Sequence, residues 1–150
     1  MLLIQGAKAS VKSADKRDDP ISRWLVQLTA RVGWCDLFSV NPATARGVPG
    51  LFSRNERVVC VFESARGLFL MALVGATIVG SIATVWHGVV NPPRPGTVRD
   101  WRYDDQNITL RQGDEMGRFL LGSTVVMLFP KDMLRLRSDW VPARTIQMGE

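Results

Sequence analysis

The spacing of apolar residues changes along the chain, and each change marks an element. Residues 5 to 20 mix Lys, Asp, Ser and Ala without apolar periodicity, the pattern of a solvated leader. From Pro20 to Trp34, Ile21, Trp24, Leu25, Leu28 and Val32 recur at helical spacing, predicting a short amphipathic helix. An ordinary surface helix over the core is the simpler expectation; a helix lying on a membrane with Trp24 at the interface is the alternative. Residues 39 to 55 carry two prolines and two glycines and read as a structured connection rather than an element.

The period then shortens. Arg57 to Phe62 is a β-branched strand pattern, and Ser64 to Gly67 is a turn. Leu68 to Val90 is an uncharged run long enough to suggest a membrane-spanning helix. Gly75, Gly80 and Gly88 interrupt it, however, and Val74, Thr77, Ile78, Val79, Ile82, Thr84 and Val85 are β-branched, so buried strands joined by glycine bends fit better. Asn91 to Gly96, with three prolines, breaks the strand region. A turn at Asp104 to Asn107, a short strand at Ile108 to Leu110, a turn at Gln112-Gly113 and two strands meeting at Gly122 within Arg118 to Phe129 complete the expectation. The fold class expected is mainly β, a barrel- or sandwich-like antiparallel sheet preceded by the short N-terminal amphipathic helix.

Composition narrows the partners. A chain of 150 residues that is 46% hydrophobic and 22% charged can bury one core of its own. The net charge of +5 favours anionic partners. The basic residues are scattered and no recognition-module signature appears, so nucleic acid is not expected. Cys35 and Cys60 lack metal-ligand spacing, which predicts neither a metal site nor a disulfide framework. The first nineteen residues lack the apolar core and cleavage site of a secretory signal, pointing to the cytoplasm or the cytoplasmic face of a membrane.

The stretch Gly113-Asp114-Glu115-Met116-Gly117-Arg118-Phe119-Leu120-Leu121-Gly122-Ser123-Thr124, continuing through Phe129, carries the chemistry. It resembles the processing-site region of the phosphatidylserine decarboxylase family, in which a Gly-Ser-Thr step lies between two apolar strands. Asp36 to Asn41, Asn55 to Val58 and Val74 to Ile82 match the family in the same order, so the resemblance covers about Asp36 to Phe129. It implies a boundary, with residues 1–35 outside the match and 36–150 forming the C-terminal part of the catalytic domain. Within that part, a large-subunit portion would end at 122 and a small pyruvoyl subunit would run from 123 to 150.

The resemblance also implies a mechanism. A glycine at 122 admits a strained turn in which the Ser123 hydroxyl reaches the Gly122 carbonyl, and Leu121 and Thr124 complete the motif. Attack turns the amide into an ester, elimination leaves dehydroalanine at 123, and loss of ammonia leaves a covalently bound pyruvoyl group. In the family that ketone forms a Schiff base with phosphatidylserine, accepts the electrons of the breaking carboxylate bond, and yields phosphatidylethanolamine. The implied partners are phosphatidylserine, an anionic membrane surface met peripherally, and the two subunits of one proenzyme.

An upstream Asp-His pair should deprotonate the serine in the family. The single histidine here, His87, lies downstream and after Trp86 in an expected strand, where a structural role is the better reading. Asp15, Asp18 and Asp19 fall in the leader and inherit no role. Two rival readings stand beside this one: a non-catalytic remnant of the family, and a small single-span membrane protein.

Overall fold

The computed structural model describes residues 2–3, 36–92, 99, 101–103, 106–122 and 124–147. The leader, the helix expected at Pro20 to Trp34, Cys35 and Ser123 lie outside the described residues. Among the described residues seven strands run in chain order: β1 (Leu2–Leu3), β2 (Arg57–Ser64), β3 (Gly67–Val74), β4 (Ile82–Thr84), β5 (Gly88–Asn91), β6 (Gly117–Phe119) and β7 (Val125–Leu128). They form two antiparallel sheets, one in the order β1-β2-β3-β7 and the other β5-β4-β6. The expected mainly-β antiparallel class is what the chain adopts. The sheets are open and share a core, so the arrangement is sandwich-like, and no closed barrel forms among the described residues.

The β2–β3 hairpin shows why an almost continuous apolar run makes strands. Its register runs from Arg57 opposite Val74 to Ser64 opposite Gly67, and both faces are covered. Val58, Cys60, Phe62 and Leu73 point to one core, which they share with Ile82 and Val90 of the second sheet and with Tyr103. Val59, Val61, Leu70 and Ala72 point to the other, against Val126 and Leu128 of β7. Alternate residues therefore feed opposite cores, the two-residue period of a strand buried on both sides. Cys60 is fully buried, and burial pushes its thiol up to about 12, so it behaves as a small apolar side chain.

The uncharged run Leu68 to Val90 is thus β3, β4 and β5, with Gly75 and Gly80 in the connection between β3 and β4 and Gly88 opening β5. This corrects the single-span reading. No helix among the described residues is long and apolar enough to cross a membrane.

Two further expectations change, and the strands flanking Gly122 form as expected. Residues 39 to 55 contain two short helices, α1 (Pro42–Gly47) and α2 (Leu51–Arg54). Asn41 starts the first by accepting the Thr44 N–H on Oδ1 at 2.9 Å, with Pro42 at the first helical position, where its missing N–H costs nothing. Ile108 to Leu110 is irregular rather than a strand. Ile108 and Leu110 pack on the first core while Thr109 faces out, so the alternation records packing without a ladder partner. The strands meeting at Gly122 do not pair with each other: β6 joins β4 and β7 joins β3.

Candidate functional site

The segment from Leu120 to Thr124 is the crossing from one sheet to the other. Its start is tied to the second sheet, where the Leu120 N–H donates to the Ser81 carbonyl at 3.3 Å. Its end is tied to the first, where the Val74 N–H donates to the Thr124 carbonyl at 2.9 Å. Position 123 itself is outside the described residues, but both of its neighbours are fixed.

Gly122 has a φ of +84°, a left-handed conformation that side chains rarely adopt. A Cβ added there would lie 2.1 Å from Val79 Cγ2, well inside van der Waals contact. The glycine is therefore required twice, by its backbone angle and by the Val79 side chain packed against it. Val79 belongs to the loop between β3 and β4. That loop closes on itself through Ala76 N–H to Val79 O at 3.3 Å and Gly80 N–H to Ile78 O at 2.9 Å.

The loop is held from below by the other two matched motifs. The Glu56 N–H donates to the Asp36 carbonyl at 2.8 Å, and the Gly75 N–H donates to the Glu56 carbonyl at 2.7 Å. Asn55 is completely buried and its side chain bridges Phe38 to Gly75. The Thr77 hydroxyl donates to the Leu37 carbonyl. Arg54 pairs with Asp36 at 2.9 Å, but both side chains are part-exposed, so solvent screens the pair and it adds little. The structure thus gathers Asp36 to Phe38, Asn55 to Glu56 and Gly75 to Val79 beneath the Gly122 turn. All three stretches match the family in sequence, but their spacing alone carries no chemical role. Ile78, Leu120 and Leu121 stand exposed around the crossing, and Val125 and Met127 are exposed on β7, at the edge of its sheet.

His87 lies in the turn between β4 and β5 and not in a strand. Its Nδ1 shares a hydrogen bond with the Tyr103 hydroxyl, and its ring meets Trp101 edge-on with centroids 4.7 Å apart. Arg99 stacks on the same Trp101 at 4.9 Å and donates to the Val90 carbonyl and Asn91 Oδ1, each at 2.7 Å. Burial first, and then the Arg99 charge, hold the His87 pKa below its ordinary value of 6.5, which keeps the ring neutral. Tyr103 is pushed up by burial and then by Cys60. These contacts bind His87 into an aromatic cluster, the structural role expected of it.

Because the folded pKa of His87 is depressed, the unfolded chain binds more protons in that range. Stability present above the unfolded value is lost as pH falls toward the folded one. The urea midpoint should therefore drop between about pH 7 and about pH 5, and His87→Gln should remove that part of the slope. An identical slope in both proteins would contradict the assignment.

Among the described residues no group of three or more His, Cys, Asp or Glu side chains could hold a metal ion. The chain matches the phosphatidylserine decarboxylase family model over residues 25–150. The chain belongs to the phosphatidylserine decarboxylase family. The match extends beyond Asp36 to Phe129 at both ends and takes in residues 25 to 35, for which no resemblance was expected. The chain is 74% identical over 114 residues to the phosphatidylserine decarboxylase proenzyme of Dechloromonas aromatica (strain RCB), covering 76% of this chain and 40% of that protein. It is 73% identical over 115 residues to that of Variovorax paradoxus (strain S110), covering 77% and 41%. It is 70% identical over 115 residues to that of Azoarcus sp. (strain BH72), covering 77% and 40%. The chain therefore spans about 40% of the length of these curated relatives.

Proposed function

We propose that this member of the phosphatidylserine decarboxylase family carries the self-processing serine of a decarboxylase that converts phosphatidylserine to phosphatidylethanolamine, with Ser123 as the precursor of a covalently bound pyruvoyl group. The observation that carries the reading is the Gly122 turn, a left-handed glycine wedged against Val79 where the chain crosses between sheets.

The residues around the step fit the group. Gly122 leaves no Cβ between its own carbonyl and the approach of the following side chain, and Val79 holds that turn in place. The Ser123 oxygen attacks the Gly122 carbonyl carbon, and its proton leaves to a base. The C–N bond breaks, giving an ester and a free amine at 123. Removal of the 123 α-proton expels the Gly122 carboxylate and leaves dehydroalanine; its enamine takes a proton at Cβ to become an imine, and water replaces the imine nitrogen, releasing ammonia and leaving the ketone. The pyruvoyl ketone then supplies an electron sink for decarboxylation.

After cleavage, the portion beginning at 123 stays attached because β7 remains in its ladder on β3, from Leu73 opposite Val125 to Leu70 opposite Leu128. Phe129 also stacks on Phe69 with ring centroids 5.4 Å apart. A non-covalent pair of subunits, 36–122 with its leader and 123–150, is the product. The net charge of +5 suits peripheral attachment to an anionic membrane at the cytoplasmic face, where the substrate lies.

The base is assigned to an Asp-His pair supplied outside the residues that match here, because His87 is bound to Tyr103 and Trp101. Loss of a positioned base costs a factor of roughly 10² to 10⁴, so this chain alone should process very slowly. The test expresses it alone and together with a segment of a relative that carries the pair. Release of labelled carbon dioxide from carboxyl-labelled phosphatidylserine should require both parts. Activity of the chain alone that vanished on His87→Ala would overturn the assignment of the base. No release from the combination would favour the non-catalytic remnant.

A further inference from the structure

We infer that Asn55 is a positioning residue for the Gly122-Ser123 step, acting through Gly75 on the two contacts that hold the residues on either side of position 123. The inference rests on the reading of that step as the site of self-cleavage.

Asn55 has no exposed surface. Its Oδ1 accepts the Phe38 N–H at 2.9 Å, and Nδ2 donates to the Phe38 carbonyl at 2.8 Å and to the Gly75 carbonyl at 2.9 Å. Both amide hydrogens and the amide oxygen are matched, which fixes the side chain in one orientation. Burying an amide is costly unless it is satisfied in this way, and packing alone would be met by a leucine of similar volume. The asparagine therefore contributes direction. It ties the chain at Phe38 to the chain at Gly75.

Gly75 is gripped through both of its polar groups, the carbonyl by Asn55 Nδ2 and the N–H by the Glu56 carbonyl at 2.7 Å. A Cβ at Gly75 would approach the Glu56 carbonyl to 3.2 Å and the Val79 carbonyl to 3.4 Å, so the loop folds back tightly over this point. Immediately before Gly75, the Val74 N–H holds the Thr124 carbonyl. Four residues after it, the Val79 side chain backs Gly122. The contacts on both sides of position 123 therefore radiate from the residue that Asn55 and Glu56 fix. Displacement of Gly75 would move Val74 and Val79 together, and attack by a neighbouring hydroxyl is sensitive to sub-ångström changes in approach.

The test compares wild type, Asn55→Leu and Asn55→Asp by amide hydrogen exchange, expressed as protection relative to intrinsic rates. Val74, Gly75, Gly80 and Leu120 report the turn, and Cys60 and Val61, whose amides face opposite sides of β2, report that strand away from the turn. Asn55→Leu should lower protection at the first four amides by about tenfold and leave the last two unchanged. Asn55→Asp keeps the acceptor but aims an ionised carboxylate at the Phe38 and Gly75 carbonyls. When protonated it regains one donor, so its protection relative to wild type should recover as pH falls from about 8 to about 5. Asp36, Arg54 and Glu56 flank the position in both proteins and cancel in that ratio. Unchanged protection in Asn55→Leu, a loss shared equally by Cys60 and Val61, or no recovery in Asn55→Asp would each overturn the inference. Cleavage, followed by mass in the presence of the complementary segment, should rank the variants in the same order. If wild type does not cleave at 122–123, the processing reading fails by itself, and exchange still decides whether Asn55 sets the turn.

Discussion

Ser123→Ala is expected to leave one uncleaved chain under every condition in which wild type processes. The attacking oxygen is gone, and no neighbouring hydroxyl can produce a ketone at the same position. Thr124→Ala is the control. The tie at Thr124 runs through its main-chain carbonyl, which accepts the Val74 N–H, so truncating the side chain preserves it and cleavage should continue. Measured by intact mass, the pair should separate completely. Cleavage in Ser123→Ala and none in Thr124→Ala would place the nucleophile at the wrong residue.

Gly122→Ala is expected to have the next largest effect. The new Cβ would meet Val79 Cγ2 at 2.1 Å while the backbone is held at a φ of +84°. Val79 is itself buried, so it cannot simply turn away. Left-handed strain of about 1–3 kcal/mol adds to an overpacking cost of about 1–3 kcal/mol, and both fall on the turn that must present its carbonyl. Processing should slow by at least about fivefold from either cost alone. Adding Val79→Ala removes the overlap but not the backbone strain, so the double variant should recover part of the rate. Cleavage of Gly122→Ala at the wild-type rate would show that the turn relaxes without consequence.

Much of the architecture was legible because it follows from short-range pattern. The strand at Arg57 to Phe62 and the turn at Ser64 to Gly67 lie where β-branching and a glycine put them. The uncharged run after them divides near Gly75, Gly80 and Gly88, as buried strands with bends should. What the pattern could not carry was pairing. A two-residue period says that β6 and β7 are strands, but it does not say that they enter different sheets, and that separation is what makes Gly122 a crossing. Ile108 to Leu110 misled for the same reason, having the alternation without a partner.

The site divided in the same way. Gly122, Ser123, Leu121 and Thr124 were readable as a motif whose residue types suit the chemistry. Gly122 is held at a positive φ against Val79 and the Thr124 carbonyl accepts the Val74 N–H, while position 123 lies outside the described residues. The role of Asn55 was not readable. Its partners are main-chain atoms of Phe38 and Gly75, distant along the sequence and without side-chain signature. His87 lies in a turn and not in the strand expected for it, because the turn and the Tyr103 contact depend on a residue sixteen positions away.

The intact mass of the wild-type chain, after incubation with the complementary segment, tests the central claim most directly. Two polypeptides should appear, residues 1 to 122 and 123 to 150, the second blocked to N-terminal sequencing and reactive toward hydroxylamine as a ketone. A single full-length mass with unmodified Ser123 would contradict self-processing at this step.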